Sequence, residues 1–405
     1  MGVILSAVLG LFTLLAVTDA VLAAPSPSAD VEMGLPELIL TGPRMDFIGA
    51  APGSLALAER MIHYGVPGVS IAVVEDFQLA WAKGYGVLDA ETGAPVTPDA
   101  LFEAASTTKV VTAAAIWSLV AEGRLAFADE AGAHLEGWRL PPSKLAAEEP
   151  ATLRRLLAHT AGINRPEGGF SVAEGGKPTL VQVLAGEAPA LNAPLAIEAV
   201  PGSRHAYSNF GYLVLQQLLE DLEGKPFAEL VMERVLIPFG MAASTFAPAA
   251  DVLRARHHGP AGEPLPYSVR HPSALAQGWL WTTPSDLGRL AIAIMVSAQQ
   301  RPEAPVMAPA VREALQPEWA FAPDEQFGFS GQVLGVFLLG TDKGLGFCHP
   351  GQNEPGATCI LIGIPATGQA AAVMTNGAQG ILLSLEILSS IASVQQWPRI
   401  LVEEA

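Results

Sequence analysis

In "GVPGVSIAVVEDFQLAWAKGYGVLD", two apolar runs, Val69 to Val74 and Gln78 to Lys83, are parted by Glu75 and Asp76, the pattern of two strands joined by a tight turn. The stretch "EAASTTKVVTAAAIWSLVAEG" follows a different rule. From Ser106 to Glu122 it is rich in helix formers, apolar almost all round and stopped by Gly123, so it predicts a buried central helix. Further on, "ATLRRLLAHTAG", "TLVQVLAGE", "FGYLVLQQLLEDLEG", "FAELVMERVLIPFG" and "TPSDLGRLAIAIMVSA" carry helical patterns between Pro and Gly loops, predicting a helical lobe at about residues 130–300. Strand-like runs return from Gln332 in "GQVLGVFLLGT", "LGFCHPG", "ATCILIGIP" and "QAAAVMTN", before a last helix in "GILLSLEILSSIASVQQ". Strands at both ends with helices between predict a two-lobed α/β (α+β) fold: an antiparallel sheet flanked by helices, with an all-α lobe inserted beside it.

The first residues depart from this pattern. The apolar run from Val3 to Val17 is short for a bilayer span, meets Thr18 and Asp19, and leads to small residues at Ala23 and Ala24 ahead of a Pro/Ser stretch. This reads as a signal peptide over 1–23, cleaved near Ala23, with export to a periplasmic or secreted location and no stable membrane span. The missing Lys or Arg ahead of the run leaves an uncleaved anchor as the competing reading. A Pro-rich leader (24–49), one domain (50–395) and a tail (396–405) follow.

Half the residues are hydrophobic, 50% of 405, enough to bury a substantial core. The 40 Asp+Glu against 22 Lys+Arg give a formal charge of −18 with no basic cluster, which excludes nucleic acid as a partner. Two cysteines, Cys348 and Cys359, bracket a Pro/Gly-containing turn on successive strands. Cross-strand register decides between a disulfide and two buried thiols, because a disulfide needs its Cα atoms within about 7 Å.

The chemistry begins with Ser106 and Lys109, three apart and so on one helix face. A serine hydroxyl is a weak nucleophile until a base takes its proton, and a desolvated lysine can do so. At the head of a helix, the serine also meets free N–H groups able to face an oxyanion. The plain alternative is a capping serine beside an unrelated lysine, but a charged lysine there opposes the helix dipole and is costly to bury. In "PGSRHAYSNFGYLVL", Tyr207 and Asn209 precede a helix. A tyrosine beside a lysine cation can have its pKa lowered enough to act as a base, and an asparagine amide can bond a substrate carbonyl while holding the lysine; otherwise Ser208 or Asn209 merely caps the helix. In "GFCHPGQNEPGATC", His349, Pro350 and Gly351 end a strand, where the glycine admits close approach of a substrate and the N–H of Gln352 offers an oxyanion donor; the alternative is an ordinary hairpin turn.

Taken together, S-T-T-K, Y-S-N and H-P-G in this order resemble the serine β-lactamase and penicillin-recognising family, in the branch of class C β-lactamases, DD-peptidases and related esterases. The phrases "PGVSIAVVED", "LLAHTAGI", "PFGMAASTF" and "WLWTTPSDLGRLA" extend the resemblance over roughly residues 50 to 395. It implies a site between the two lobes, with Ser106 acylated, Lys109 its proton acceptor or the partner that poises Tyr207, and Tyr207 activating the deacylating water. It further implies that Asn209 contacts the acyl side chain, that His349, Gly351 and Gln352 border the substrate, and that the N–H groups of Ser106 and Gln352 form the oxyanion hole. The implied substrate is a small ester, a β-lactam or a D-amino-acid peptide, with no metal or organic cofactor. The competing function is a non-hydrolytic penicillin- or peptidoglycan-binding module. His349 and Pro350 stand where the β-lactamases carry Lys and Thr to hold a substrate carboxylate, which points to esterase or DD-peptidase-like chemistry, with β-lactamase activity weak.

Outside these motifs, His159 reads as a helix-end cap, His257 and His258 as a solvated loop pair, and Trp279 and Trp281 as core or cleft wall.

Overall fold

The computed structural model describes residues 39–40, 55–165, 170, 172–173, 175–266, 273–322, 328–353 and 355–400. The expected signal peptide and all of the leader except Ile39 and Leu40 lie outside the described residues, as does the end of the tail. In chain order the main elements are α1 (Leu57–His63), β1 (Gly68–Glu75), β2 (Gln78–Asp89), β3 (Ala94–Pro95), α2 (Thr108–Ala121), α3 (Leu153–Leu157), α4 (Leu180–Ala185), α5 (Asn209–Glu223), α6 (Phe227–Val231), α7 (Pro284–Ala298), α8 (Ala308–Ala314), β4 (Trp319–Ala320), β5 (Gly331–Gln332), β6 (Phe337–Thr341), β7 (Gly344–Asn353), β8 (Ala357–Ile364), β9 (Gln369–Thr375) and α9 (Gly380–Val394).

The strands form one sheet of nine in the order β3-β2-β1-β9-β8-β7-β6-β5-β4, antiparallel at every pairing. The C-terminal strands do complete it: β9 lies against β1, with Ala372 opposite Ala72. The β1–β2 turn falls at Asp76 and Phe77, both with positive φ (48° and 62°), which matches the twist of a two-residue hairpin. Strands β1, β8 and β9 read as near-continuous apolar runs because both of their faces are covered. On one face Cys359, Leu361, Ala370, Ala372 and Met374 join the core shared with α2, α5 and α7; on the other Ile360, Ile362, Ala371 and Val373 pack beneath α1 and α9.

That alternation settles the cysteines. Cys348 stands opposite Ile362 and Cys359 opposite Gly351, so the two side chains leave opposite faces of the sheet. Both are free, buried thiols. The helix of "TPSDLGRLAIAIMVSA", grouped by its spacing with the helical lobe, packs as α7 against β1, β8 and β9 and also against the short helix α8, because its broad apolar face covers the sheet.

On the face away from α2, Arg60 of α1 donates from Nε and Nη2 to both carboxylate oxygens of Glu386 in α9, at 2.8 and 2.7 Å, and Tyr64 donates to the same carboxylate at 2.8 Å. Removing one partner of a buried, bidentate pair strands the other charge. Glu386→Ala is therefore expected to cost about 3–5 kcal/mol of stability in denaturant unfolding.

Candidate active site

The segment ahead of α2 sets the first motif. Phe102–Glu103 pairs with Trp281–Thr282, after which the chain turns through a 3-10 helix, Ala105–Thr107, into α2. Ala105 has φ 47°, an uncommon value for a residue with a side chain, so Ser106 sits on a sharp turn just before α2 rather than within its first α-helical turn. Lys109, in the first turn, is completely buried, and its Nζ lies 3.3 Å from Ser106 Oγ and 2.6 Å from the carbonyl oxygen of Gln277. Burial, reinforced by the charge of Arg165, holds its pKa well below the usual lysine value.

Tyr207 faces this pair from the loop before α5. Its ring centre is 5.0 Å from Lys109 Nζ, and 5.9 Å from the guanidinium carbon of Arg165. Burial pushes the phenol pKa up, with the Ser106 hydroxyl and the Arg165 charge pulling the other way. This reverses the expected lowering, because the buried phenolate loses its hydration and that loss outweighs the Ser106 hydroxyl and the Arg165 charge. Asn209 opens α5, and its Oδ1 is buried without a hydrogen-bond partner; among the described residues it does not bond Lys109, which is held by Gln277 instead.

The third motif comes in on β7. Gly351 lies directly beneath the Ser106 turn: a Cβ there would stand 2.9 Å from Ser106 N and 2.8 Å from Thr107 N, and would overlap Ala104 O. The Thr107 hydroxyl donates to the His349 carbonyl at 3.1 Å, fastening strand to turn. His349 is buried, and desolvation with the nearby Lys109 brings its pKa down to about 3, so the imidazole is neutral. Gln352, next along β7, has a buried Oε1 with no partner. One residue further, Asn353 donates to both Glu103 and the carbonyl of Gly278 at 2.8 Å, tying β7 to the segments that carry Ser106 and Gln277. Gly351→Ala forces backbone apart where no side chain can yield; kcat/KM is expected to fall about 100-fold, with a parallel loss in melting temperature.

Ser106, Lys109, Tyr207, His349 and Gly351 thus come from three distant segments to one place, with Asn209 and Gln352 following Tyr207 and Gly351 along the chain. Sequence spacing missed three contributors. Gln277 supplies a backbone oxygen, which no motif announces. His159 does end α3 with φ 57°, as a cap should, its N–H and that of Thr160 returning to Leu156 and Arg155. The same turn places its ring 4.1 Å from that of Tyr207 and 5.2 Å from that of Tyr212, while Nδ1 accepts from Ser208 N–H at 3.2 Å. Arg165 is the third. His257 and His258 are buried rather than solvated: His258 accepts from Ala90 N–H at 3.0 Å, and His257 stacks on Trp281. Trp281 and His257 line a separate cavity of about 810 Å³ with Leu180, Phe227, Phe246 and Leu275, distinct from the Ser106 cluster.

The Beta-lactamase family model matches residues 55–393. Penicillin-binding protein 4 of Amycolatopsis lactamdurans is 28% identical over 346 residues, covering 82% of this chain and 87% of its own. The D-alanyl-D-alanine-carboxypeptidase/endopeptidase AmpH of Escherichia coli K12 is 27% identical over 233 residues, 56% of each chain. Among solved structures, the octameric penicillin-binding protein homologue from Pyrococcus abyssi superposes with a TM-score of 0.68 at 26% identity, covering 84% of this chain and 76% of that one.

Proposed function

Since the chain belongs to the Beta-lactamase family of serine hydrolases, we propose that it works through an acyl-enzyme on Ser106 and cleaves a small ester or a peptide-like amide. The observation that carries this reading is the buried amine of Lys109, 3.3 Å from the Ser106 hydroxyl. The lowered pKa of Lys109 and the raised pKa of Tyr207 favour Lys109 as the acceptor of the Ser106 proton, which leaves Tyr207 a neutral donor in the free enzyme. As Oγ bonds the carbonyl carbon, the electron pair moves to oxygen, where the N–H groups of Ser106 and Gln352 are the proposed donors. Collapse expels the leaving group, which takes a proton from the Lys109–Tyr207 pair; water then repeats the sequence in reverse, activated by the same pair. Asn209, its Oδ1 unpartnered, contacts the acyl side chain, and His349 and Gly351 form the floor.

The relatives, a penicillin-binding protein and a D-alanyl-D-alanine-carboxypeptidase/endopeptidase, support an acyl donor of the peptide or β-lactam kind. A neutral, buried His349 supports an esterase or D-peptidase over an efficient β-lactamase. The short apolar run from Val3 to Val17, followed by small residues at Ala23 and Ala24, supports export. Intact-protein mass spectrometry during reaction with p-nitrophenyl butyrate or a penicillin tests the reading: a transient adduct mapped to Ser106 with release of product is expected. An adduct that persists for hours turns the enzyme into a penicillin-binding module, and no adduct with either reagent overturns the acyl-enzyme.

A further inference from the structure

The cavity walled by Leu180, Phe227, Phe246, Leu275 and Trp281 takes no part in the chemistry at Ser106, and at about 810 Å³ it is large enough for a small organic molecule. Its walls are chiefly apolar, but Glu220 of α5 stands among them. Glu220 Oε1 accepts from Gln216 Nε2 and from the Phe227 N–H, both at 3.1 Å, while Oε2 has no hydrogen-bond partner among the described residues. Burial raises the carboxyl pKa above the ordinary glutamate value, against the pull of those two donors, so the ionised form is short of a compensating charge. The other titratable groups of the wall are engaged: Arg254 has an interaction of its own, and His257 faces Glu103 at 3.7 Å. Hydrogen bonds lead from Glu220 to the reacting pair. Gln216 Oε1 accepts from the N–H groups of Leu275 and Ala276 at 2.9 and 3.1 Å, and its Nε2 also donates to the Ser273 carbonyl at 2.7 Å. One residue on, the carbonyl of Gln277 accepts from Lys109 at 2.6 Å. The segment that fixes the Lys109 amine is thus held by an amide that Glu220 orients.

We propose that this cavity is an effector site for an apolar molecule carrying one ammonium group, which binds Glu220 Oε2 and lowers turnover at Ser106. An ammonium at Oε2 draws electron density from Oε1, weakens its hold on Gln216 and loosens the 273–277 segment against Lys109. The aromatic walls at Phe227, Phe246 and Trp281 suit the apolar body and the cation alike, and the net charge of −18 raises the local concentration of cations. The effect on turnover, though not the binding, rests on Ser106 and Lys109 as the reacting pair.

Calorimetry with 4-phenylbutylamine, 4-phenyl-1-butanol and 4-phenylbutyrate tests the site. The amine, charged at neutral pH, should bind about 10-fold more tightly than the alcohol, and the carboxylate most weakly. Glu220→Gln keeps an acceptor for Gln216 and Phe227 and should remove the preference for the amine. Ala247→Trp, at the exposed rim, should weaken all three by filling the mouth. With p-nitrophenyl butyrate as substrate, saturating amine should lower kcat about 5-fold with KM little changed, and either variant should abolish the response. Circular dichroism establishes that the variants fold. Equal binding of amine and alcohol, or tighter binding of the carboxylate, overturns the site. Binding of the amine without a fall in kcat overturns the effector role. Inhibition through KM that survives Ala247→Trp puts the amine at Ser106 and overturns both. If wild type releases no p-nitrophenol, the Ser106 reading fails, while calorimetry still decides whether Glu220 holds an ammonium in the cavity.

Discussion

Ser106→Ala is expected to lower kcat/KM by about 10⁴- to 10⁶-fold, the range seen when the nucleophile of a serine hydrolase is removed. Three features make the loss that large. The hydroxyl lies 3.3 Å from the Lys109 amine, and among the described residues that amine hydrogen-bonds only to it and to the Gln277 carbonyl oxygen. Its turn is pressed against Gly351, which leaves no room for a neighbouring residue to take its place. Oxyanion donation and substrate binding survive the substitution and supply only the residual rate. In the proposed mechanism Ser106 and Lys109 act as one unit, so adding Lys109→Met to Ser106→Ala should cost little more, and a Ser106→Ala enzyme with full turnover would end the proposal. Stopped-flow release of p-nitrophenol, with circular dichroism to establish folding, measures both.

Lys109→Met alone should slow single-turnover acylation by about 10²- to 10⁴-fold, the usual contribution of a positioned base. Methionine fills a similar volume without a proton acceptor. Wild-type acylation should rise with pH through the lowered pKa of Lys109, well below the ordinary lysine range, and the variant should lose that limb. Stability carries the opposite face of the same shift. Between the lowered folded value and the unfolded lysine value, the unfolded chain holds one more proton than the native protein, so native stability from this group rises with pH. Relative to wild type, the melting temperature of Lys109→Met should therefore be most favourable at low pH and fall back as pH rises toward 10. A difference that stays flat across pH would mean that Lys109 is charged in the native protein, and the acceptor role would pass to Tyr207.

Ser106, Lys109, Tyr207 and Gly351 are legible in the sequence because separations of two or three residues become neighbours on a helix or at a strand end. The buried helix α2 is equally legible, since apolar residues surround it and Gly123 ends it. Contacts between distant parts of the chain leave no such trace. Gln277 lies 168 residues from Lys109 and contributes only a carbonyl, an atom every residue possesses. His159 looks like a cap and is one; that its ring also meets Tyr207 follows from how α3 and the loop before α5 pack. The cysteines show the same limit in a sheet, where one step of register separates a disulfide from two thiols on opposite faces. The direction of the Tyr207 shift leaves no trace for a related reason: it depends on how completely the phenol itself is buried, which no spacing encodes.

The seam between β1 and β9 has a consequence for how the protein is made. Ala72 and Ala372 face each other across it, so the two halves of the sheet remain separate ribbons with open edges until synthesis has passed Thr375. Such a topology pairs strands about 300 residues apart, so the sheet closes only once β9 has been made. A ribosome product stopped short of Gln369 would expose the apolar edges of β1 and β8 together and is expected to aggregate instead of persisting as a shortened enzyme.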